Sequence, residues 1–145
     1  MKTVIILLSG IILLACNPSV RSIDYGIDSC HYCKMNIADP RFAAQLVTEK
    51  GKIFTFDAIE CMVNDLADSR ESQAALVVMD YNNPNQWINA SEGHYVINNK
   101  IQSPMGAHLA CFSSKADAYT TLDIPQDSIL DWNTLVTKRF TLEGL

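Results

Sequence analysis

Sulfur-bearing side chains are grouped around residue 30 of this sequence. The stretch from Ser29 to Met35 holds two thiols, Cys30 and Cys33, and the thioether of Met35. Thiolate and thioether sulfur are soft ligands that suit Cu(I), whereas Ca²⁺ and Mg²⁺ prefer oxygen. Because alternate side chains of an extended segment lie on the same side, we expect Cys33 and Met35 to reach one ion together. The group therefore predicts a copper(I) site.

A further sulfur donor from elsewhere in the chain would complete this site. Met105 is the best candidate, because Ser103-Pro104-Met105-Gly106 is a turn sequence between two predicted strands, where a core methionine would be unusual. Met62 and Met79 lie in apolar periodic stretches and are expected to fill the core. The predicted metal ligands are Cys33, Met35 and Met105, with Cys30 as a possible addition.

The remaining thiols and imidazoles have simpler explanations. Cys61, inside a predicted helix, and Cys111, at the end of an apolar strand, are expected to be small buried side chains. The three histidines lack ligand spacing and are assigned to packing or to the surface: His31, His94 and His108. A structural zinc site usually takes four Cys or His ligands in paired motifs, and only one Cys-x-x-Cys motif is present.

Cys30 and Cys33 could alternatively act as a redox pair. A thiol-disulfide oxidoreductase of the thioredoxin type places its first cysteine at the start of a helix that follows a strand, where the helix dipole lowers the thiol pKa. The residues before Cys30 show no convincing strand, and Asp39-Pro40 would end any helix soon afterwards. An extracytoplasmic oxidoreductase is therefore the alternative to a copper-binding protein.

The first sixteen residues predict export from the cytoplasm. Lys2 precedes an apolar run over residues 4–14, which is too short to span a bilayer because a spanning helix needs about twenty residues. The run ends in Leu13-Leu14-Ala15-Cys16, which resembles a bacterial lipobox. We expect a lipoprotein signal peptide over 1–15, acylation of Cys16, a polar tether over 16–27, and a location on a periplasm-facing membrane.

Composition indicates one compact domain over residues 28–145. Apolar residues make up 48% of the chain and charged residues 19%, so it can bury a core. Without Lys2 the chain keeps ten basic and sixteen acidic residues, a net charge near −6. This balance excludes nucleic acid and an anionic lipid surface as partners, and leaves the lipid anchor as the contact with the membrane.

The first half of the domain is predicted to contain a hairpin and a helix. Strands over 41–48 and 52–56 are joined by a turn in which Gly51 supplies a positive φ. Asp57 is expected to cap the following helix, with Glu60 completing a capping box. An apolar stripe on this helix should pack on the hairpin: Ile59, Met62, Val63 and Leu66.

The second half repeats part of this plan. Strands are predicted over 74–81, 94–98 and 109–112, then a helix capped by Ser113 or Ser114, and a last helix from Asp131 to about Phe140. Phe56-Asp57-Ala58 and Phe112-Ser113-Ser114 each join a strand to a helix, which suggests related β-β-α halves over 28–81 and 87–145. The predicted fold class is α+β, each half a short antiparallel sheet with a helix packed on it.

Three motifs taken in order resemble the NosL family, the accessory lipoproteins of nitrous oxide reductase. They are Cys30-x-x-Cys33-x-Met35, Phe56-Asp57-x-x-Glu60-Cys61-Met62 and Ser103-Pro104-Met105-Gly106, and the resemblance extends over about 28–122. It implies a periplasmic protein of two βαβ-type halves, similar to part of organomercurial lyase, that binds one Cu(I) and is not an enzyme. An organomercurial lyase activity would rest on fold analogy alone.

The resemblance also implies a ligand set and partners. Cys33, Met35 and Met105 match the family's copper ligands. The implied partners are a copper-accepting apo-enzyme, nitrous oxide reductase, and a copper donor or transporter. Many members have glycine at the position of Lys34, and only some share Cys30, so the role of Cys30 stays open.

Overall fold

The computed structural model describes residues 19–142, so the predicted signal peptide, Cys16 and the start of the tether lie outside the described residues. The strands are β1 (Ala44–Thr48), β2 (Ile53–Phe56), β3 (Gln73–Met79), β4 (Trp87–Asn89), β5 (His94–Ile97), β6 (Leu109–Phe112) and β7 (Ile129–Leu130). The α-helices are α1 (Ile59–Asp68), α2 (Lys115–Leu122) and α3 (Trp132–Leu135). Three 3-10 turns cover Pro40–Phe42, Ala90–Glu92 and Gln126–Ser128.

Two antiparallel sheets repeat one ββαβ arrangement. The first has the order β2-β1-β3-β4 and the second β6-β5-β7, with α1 and α2 at the same place in each unit. The registers also agree, since Ala44 pairs with Phe56 and His94 pairs with Phe112. The predicted α+β fold of two related halves is therefore confirmed. The first sheet extends to Asn89, because β4 pairs with β3.

The two units share a core. The predicted stripe on α1 is buried at Ile59, Met62 and Val63, each with 0% of its surface exposed. The same cluster of buried side chains contains Tyr95 and Leu109 of the second unit. Burial of apolar surface between the units is therefore what holds the sheets together.

The starts of the helices differ from the prediction in the first unit and agree with it in the second. Ala58 is the N-cap of α1 and makes no side-chain capping bond, so the predicted capping box is wrong. The Asp57 carboxylate instead accepts a hydrogen bond from the Ala38 N–H at 3.2 Å, which turns it away from the helix. Ser114 caps α2 as predicted, by accepting a hydrogen bond from the Asp117 N–H at 3.1 Å.

The last helix is shorter than the sequence predicts. It starts after its cap, Asp131, but ends at Leu135 rather than near Phe140. The side chain of Asn64 on α1 bonds both backbone groups of Phe140, donating to the carbonyl at 2.9 Å and accepting from the N–H at 3.0 Å. These bonds hold the chain in a non-helical path along α1.

The turn between β1 and β2 has the predicted conformation. Gly51 has φ 77° in the β1–β2 turn, as the hairpin prediction requires.

Residues 21–27, part of the predicted tether, pack on the folded part of the chain. Ile23 is buried, and the Gln45 side chain bonds both the N–H and the carbonyl of Arg21. Among residues 19–142, no helix combines the length and the apolarity that crossing a bilayer requires.

Gly93, just before β5, lies against two buried side chains. A Cβ at this position would stand 2.5 Å from the Sγ of Cys111 and 2.9 Å from the hydroxyl of Tyr95. The Tyr95 hydroxyl cannot move away freely, because it donates a hydrogen bond to the Ala90 carbonyl at 2.6 Å. Only glycine therefore fits between the 3-10 turn and the second sheet.

We expect Gly93→Ala to lower the free energy of unfolding by about 1–3 kcal/mol, the usual range for overpacking a core. Urea denaturation of the two proteins measures this loss. The double variant Gly93→Ala, Cys111→Ala should recover part of it, because the nearest obstructing atom is the Cys111 sulfur. A Gly93→Ala protein as stable as the wild type would contradict the packing described here.

Candidate metal centre

Residues 29–36 form a closed loop, which we call the cysteine loop. Ser29 and Asn36 pair as an antiparallel bridge, and inside it the Cys30 N–H donates to the Met35 carbonyl at 2.8 Å. The Lys34 N–H returns to the Cys30 carbonyl at 3.0 Å, and Lys34 has φ 66°. The expectation that Cys33 and Met35 share one side of an extended segment is therefore wrong, since the residue between them is left-handed.

The cysteine loop is fastened to β2. The His31 N–H donates to the Thr55 carbonyl at 2.7 Å, and the Thr55 hydroxyl donates to the Ser29 carbonyl at 3.2 Å. The His31 ring lies over Phe54 with 4.2 Å between centroids, in the packing role that the sequence predicted. Docking on β2 turns Cys30 and Cys33 inward, where they are 1% and 6% exposed.

Helix α1 adds a third thiol to this place. Cys61, in its first turn, is completely buried, and the sulfur atoms of Cys30, Cys33 and Cys61 lie within 4.8 Å of one another. We call these three residues the thiol cluster. The predicted burial of Cys61 is confirmed, but no sequence signal predicts that it meets the other two thiols. The nearest signal was the helix start directly after β2, the strand on which the cysteine loop docks.

The three thiols differ in their readiness to ionise. The Cys61 thiol donates a hydrogen bond to the Cys30 sulfur, and backbone N–H groups of Asp57 and Cys33 donate to it as well, which lowers the pKa of Cys30 to about 5 despite its burial. The same hydrogen bond to Cys30, together with burial, raises the pKa of Cys61. Burial is the main cause that raises the pKa of Cys33. At neutral pH the cluster therefore holds one thiolate, on Cys30, and two protonated thiols.

Carboxyl groups near the cluster are also perturbed. Burial raises the pKa of Asp57 to about 6, and the nearby negative charge of Cys30 contributes to that rise. Glu60, directly before Cys61, is fully buried, and burial raises its pKa as well. These acids make the surroundings of the cluster unfavourable for additional negative charge.

The predicted thioether ligands occupy two different environments. Met105 is completely buried and belongs to the same cluster of core side chains as the three cysteines. Met35 has 49% of its surface exposed, at the outer side of the cysteine loop. Met62 and Met79 are buried, as expected of core methionines. The structure thus brings together Cys30, Cys33 and Cys61, places Met105 in the same core as Met62 and Met79, and leaves Met35 at the surface.

The donor set of the thiol cluster selects a class of metal ion. The group consists of three sulfur atoms. Among residues 19–142, no imidazole nitrogen or carboxylate oxygen belongs to it. Soft monovalent copper is satisfied by such ligands, while a tetrahedral structural zinc site would need one more cysteine or histidine. The fourth core thiol, Cys111, is placed beside Tyr95 and not in this group.

Comparison with known proteins agrees with the fold. The model of the family NosL matches residues 25–122. The crystal structure of the copper chaperone NosL from Shewanella denitrificans is similar, with a TM-score of 0.63 and 24% sequence identity, over 73% of this chain and 87% of that one. No curated protein matches the chain.

The hydrogen bond within the thiol cluster leads to a titration experiment. We expect Cys61→Ala to raise the pKa of Cys30 from about 5 toward its ordinary value of 9.0, because the largest stabilisation of the thiolate is lost. The ultraviolet absorbance of thiolate, followed against pH, should show the transition near pH 5 moving to higher pH. Cys111→Ala removes another buried thiol and should leave that transition in place. An unchanged transition in Cys61→Ala would contradict the assignment.

Proposed function

This chain belongs to the NosL family, and from that premise we propose that it is an extracytoplasmic lipoprotein that binds Cu(I) through sulfur and delivers it to a copper enzyme. The observation that carries this proposal is the thiol cluster, in which three sulfur atoms lie within 4.8 Å of one another. The likeness to a copper chaperone of known structure supports it.

Charge decides which donors suit the ion. Two thiolates, from Cys30 and Cys33, give a Cu(I) complex with one net negative charge. A third thiolate would add another charge in a buried place where the pKa of Asp57 and of Glu60 is already raised. A neutral thioether completes the coordination at lower electrostatic cost, and of the methionines buried in this core we propose Met105, which lies in the motif Ser103-Pro104-Met105-Gly106. Cys61 then keeps its proton and supports Cys30 through their hydrogen bond.

Met35 suits the transfer step. Its sulfur is carried on an exposed side chain two residues after Cys33, on the face of the cysteine loop that a partner protein can reach. Copper can pass to the partner's ligands by replacement of one sulfur at a time, with Met35 as the donor nearest to solvent. We propose an apo-enzyme of the nitrous oxide reductase type as the acceptor and an envelope copper donor or transporter as the supplier.

The low pKa of Cys30 would also suit a thiol-disulfide oxidoreductase. Two features make that function the weaker candidate. Cys30 and Cys33 lie in a turn closed by the Lys34 N–H and not at the start of a helix. They are also buried, so a protein disulfide could not approach either sulfur without opening the loop.

Competition against a chromophoric Cu(I) chelator tests the copper site. We expect Cys33→Ser and Cys30→Ser to weaken binding by at least about 100-fold, or about 2.7 kcal/mol, because each removes a charged donor. Met105→Leu and Met35→Leu should cost roughly tenfold, since a thioether balances no charge. Met79→Leu is the matched control for these, being a core methionine outside the proposed ligand set, and should bind as the wild type does. Wild-type affinity in both serine variants would refute the site.

The lipid anchor is tested separately, because Cys16 lies outside the described residues. We expect Cys16→Ser to abolish acylation, so that the protein is recovered without detergent and its mass lacks the lipid. Membrane fractionation and mass spectrometry measure both. A Cys16→Ser protein that stays membrane-bound and processed as before would show that this cysteine is not the anchor.

A further inference from the structure

Glu60 is a buried carboxyl group that the copper site does not use as a donor. It stands in the first turn of α1, next to Cys61, with none of its surface exposed. Its Oε1 accepts a hydrogen bond of 2.6 Å from the Ser103 hydroxyl, 43 residues further along the chain. Its Oε2 has no hydrogen-bond partner among the described residues. Burying a carboxyl group with one oxygen unsatisfied is costly, so the bond that it does make calls for an explanation.

Ser103 is the centre of a tightly bonded loop. Its hydroxyl donates to Glu60 and accepts from the His108 N–H at 2.9 Å. Its carbonyl accepts from the Gly106 N–H at 3.1 Å, which closes the turn 103–106 around Met105; Gly106 has φ 76° there. A contact of Nδ1 of His108 with the Ile101 carbonyl at 2.6 Å fixes the other end of the loop. The turn 103–106, called here the Met105 turn, is therefore rigid in itself.

The bond between Ser103 and Glu60 joins this rigid turn to the helix that carries Cys61. Both side chains are buried, so water does not compete for the bond. The backbone N–H of Ala107 also faces the Glu60 carboxyl and, with Ser103, opposes the rise of the Glu60 pKa that burial causes. Glu60 thus holds the loop that follows β5 against the first unit through Ser103.

We propose that Glu60 is the positioning residue for Met105: its hydrogen bond with Ser103 holds the Met105 turn against α1, so that the thioether is presented to the thiol cluster. This inference rests on the proposed function for the choice of Cu(I) as cargo. The placement of the turn itself is a property of the protein alone, and it can be tested without copper.

The first test is amide hydrogen exchange of the full chain without copper. We expect Ser103→Ala and Glu60→Leu, which each remove one partner of the bond, to speed exchange at residues 105–108 by about fivefold to tenfold, the equivalent of one buried hydrogen bond. Ser103→Thr and Glu60→Gln keep a hydroxyl and an acceptor oxygen, so exchange in these two should stay within about twofold of the wild type. Unchanged exchange in Ser103→Ala and Glu60→Leu would overturn the proposal.

The second test asks whether the bond serves the metal site. The full chain is labelled with selenomethionine in a Met35→Leu background, loaded with one equivalent of Cu(I), and examined by selenium-edge X-ray absorption. We expect a selenium–copper contact from Met105 that disappears in Ser103→Ala and Glu60→Leu and returns in Ser103→Thr and Glu60→Gln. A role in stability alone would change the unfolding midpoint without moving this signal.

The outcomes separate the two proposals. Loss of copper binding by the unaltered chain refutes the proposed function, while the exchange experiment still decides whether Glu60 holds the turn. Copper bound with the same selenium–copper contact in Ser103→Ala and Glu60→Leu overturns the positioning role and leaves the copper site intact. Copper bound by the Met35→Leu chain with no such contact shows that Met105 is not presented to the ion, and this also overturns the positioning role.

Discussion

Docking of the cysteine loop on β2 is the contact on which the arrangement of sulfur depends. β2 is the outermost strand of the first sheet, so its free edge presents backbone groups that need partners. The His31 N–H and the Thr55 carbonyl satisfy one another there, and the Thr55 hydroxyl fixes the start of the loop. Because Cys30 and Cys33 flank His31, the bonds that cover the edge also direct both thiols toward α1. A single arrangement thus protects the sheet and assembles the thiol cluster.

The two ββαβ units contribute different parts to the candidate site. Superposed by register, Thr55 corresponds to Cys111, and by distance from the helix start Cys61 corresponds to Asp117. The second unit therefore does not repeat the cluster. Its contribution is the long connection between β5 and β6, which replaces the short turn between β1 and β2 and carries Met105 into the shared core. The first unit supplies the thiols, and the second supplies a loop that is bonded to α1 through Ser103 and Glu60.

Local sequence signals predicted the parts of the fold that local interactions determine. The β6 bounds, the turn at Gly51 and the cap at Ser114 follow from a short apolar run, positive φ and a short polar side chain, all of which act within a few residues. Two other predictions, the cap of α1 and the end of α3, are wrong because contacts between distant residues decide those places. The Asp57 carboxylate bonds the N–H of Ala38 and so does not cap α1. The Asn64 side chain bonds the backbone of Phe140, which keeps the end of the chain non-helical.

The candidate site divides in the same way. Residue type pointed to Cys30 and Cys33, which the structure brings together, while the assignment of Met105 as a ligand stays a prediction. The approach of Cys61 was invisible, since a cysteine in a helix looks the same whether it packs or meets other thiols. The sequence gives no sign of the conformation of Lys34, because a lysine normally avoids the left-handed region; the pattern predicts an extended segment, and this is wrong. Glycine is the residue that this conformation favours.

The backbone bonds inside the cysteine loop have a consequence for how fast cargo can be exchanged. With the Cys30 N–H on the Met35 carbonyl and the Lys34 N–H on the Cys30 carbonyl, the loop is ordered by the chain itself. Its conformational entropy is lost on folding, so an arriving ion has little left to organise. Departure is different, because Cys30 and Cys33 are buried and a receiving ligand reaches their sulfur atoms only when the loop opens. The rate of exchange should then level off at high concentration of the receiving protein, where the frequency of loop opening limits it.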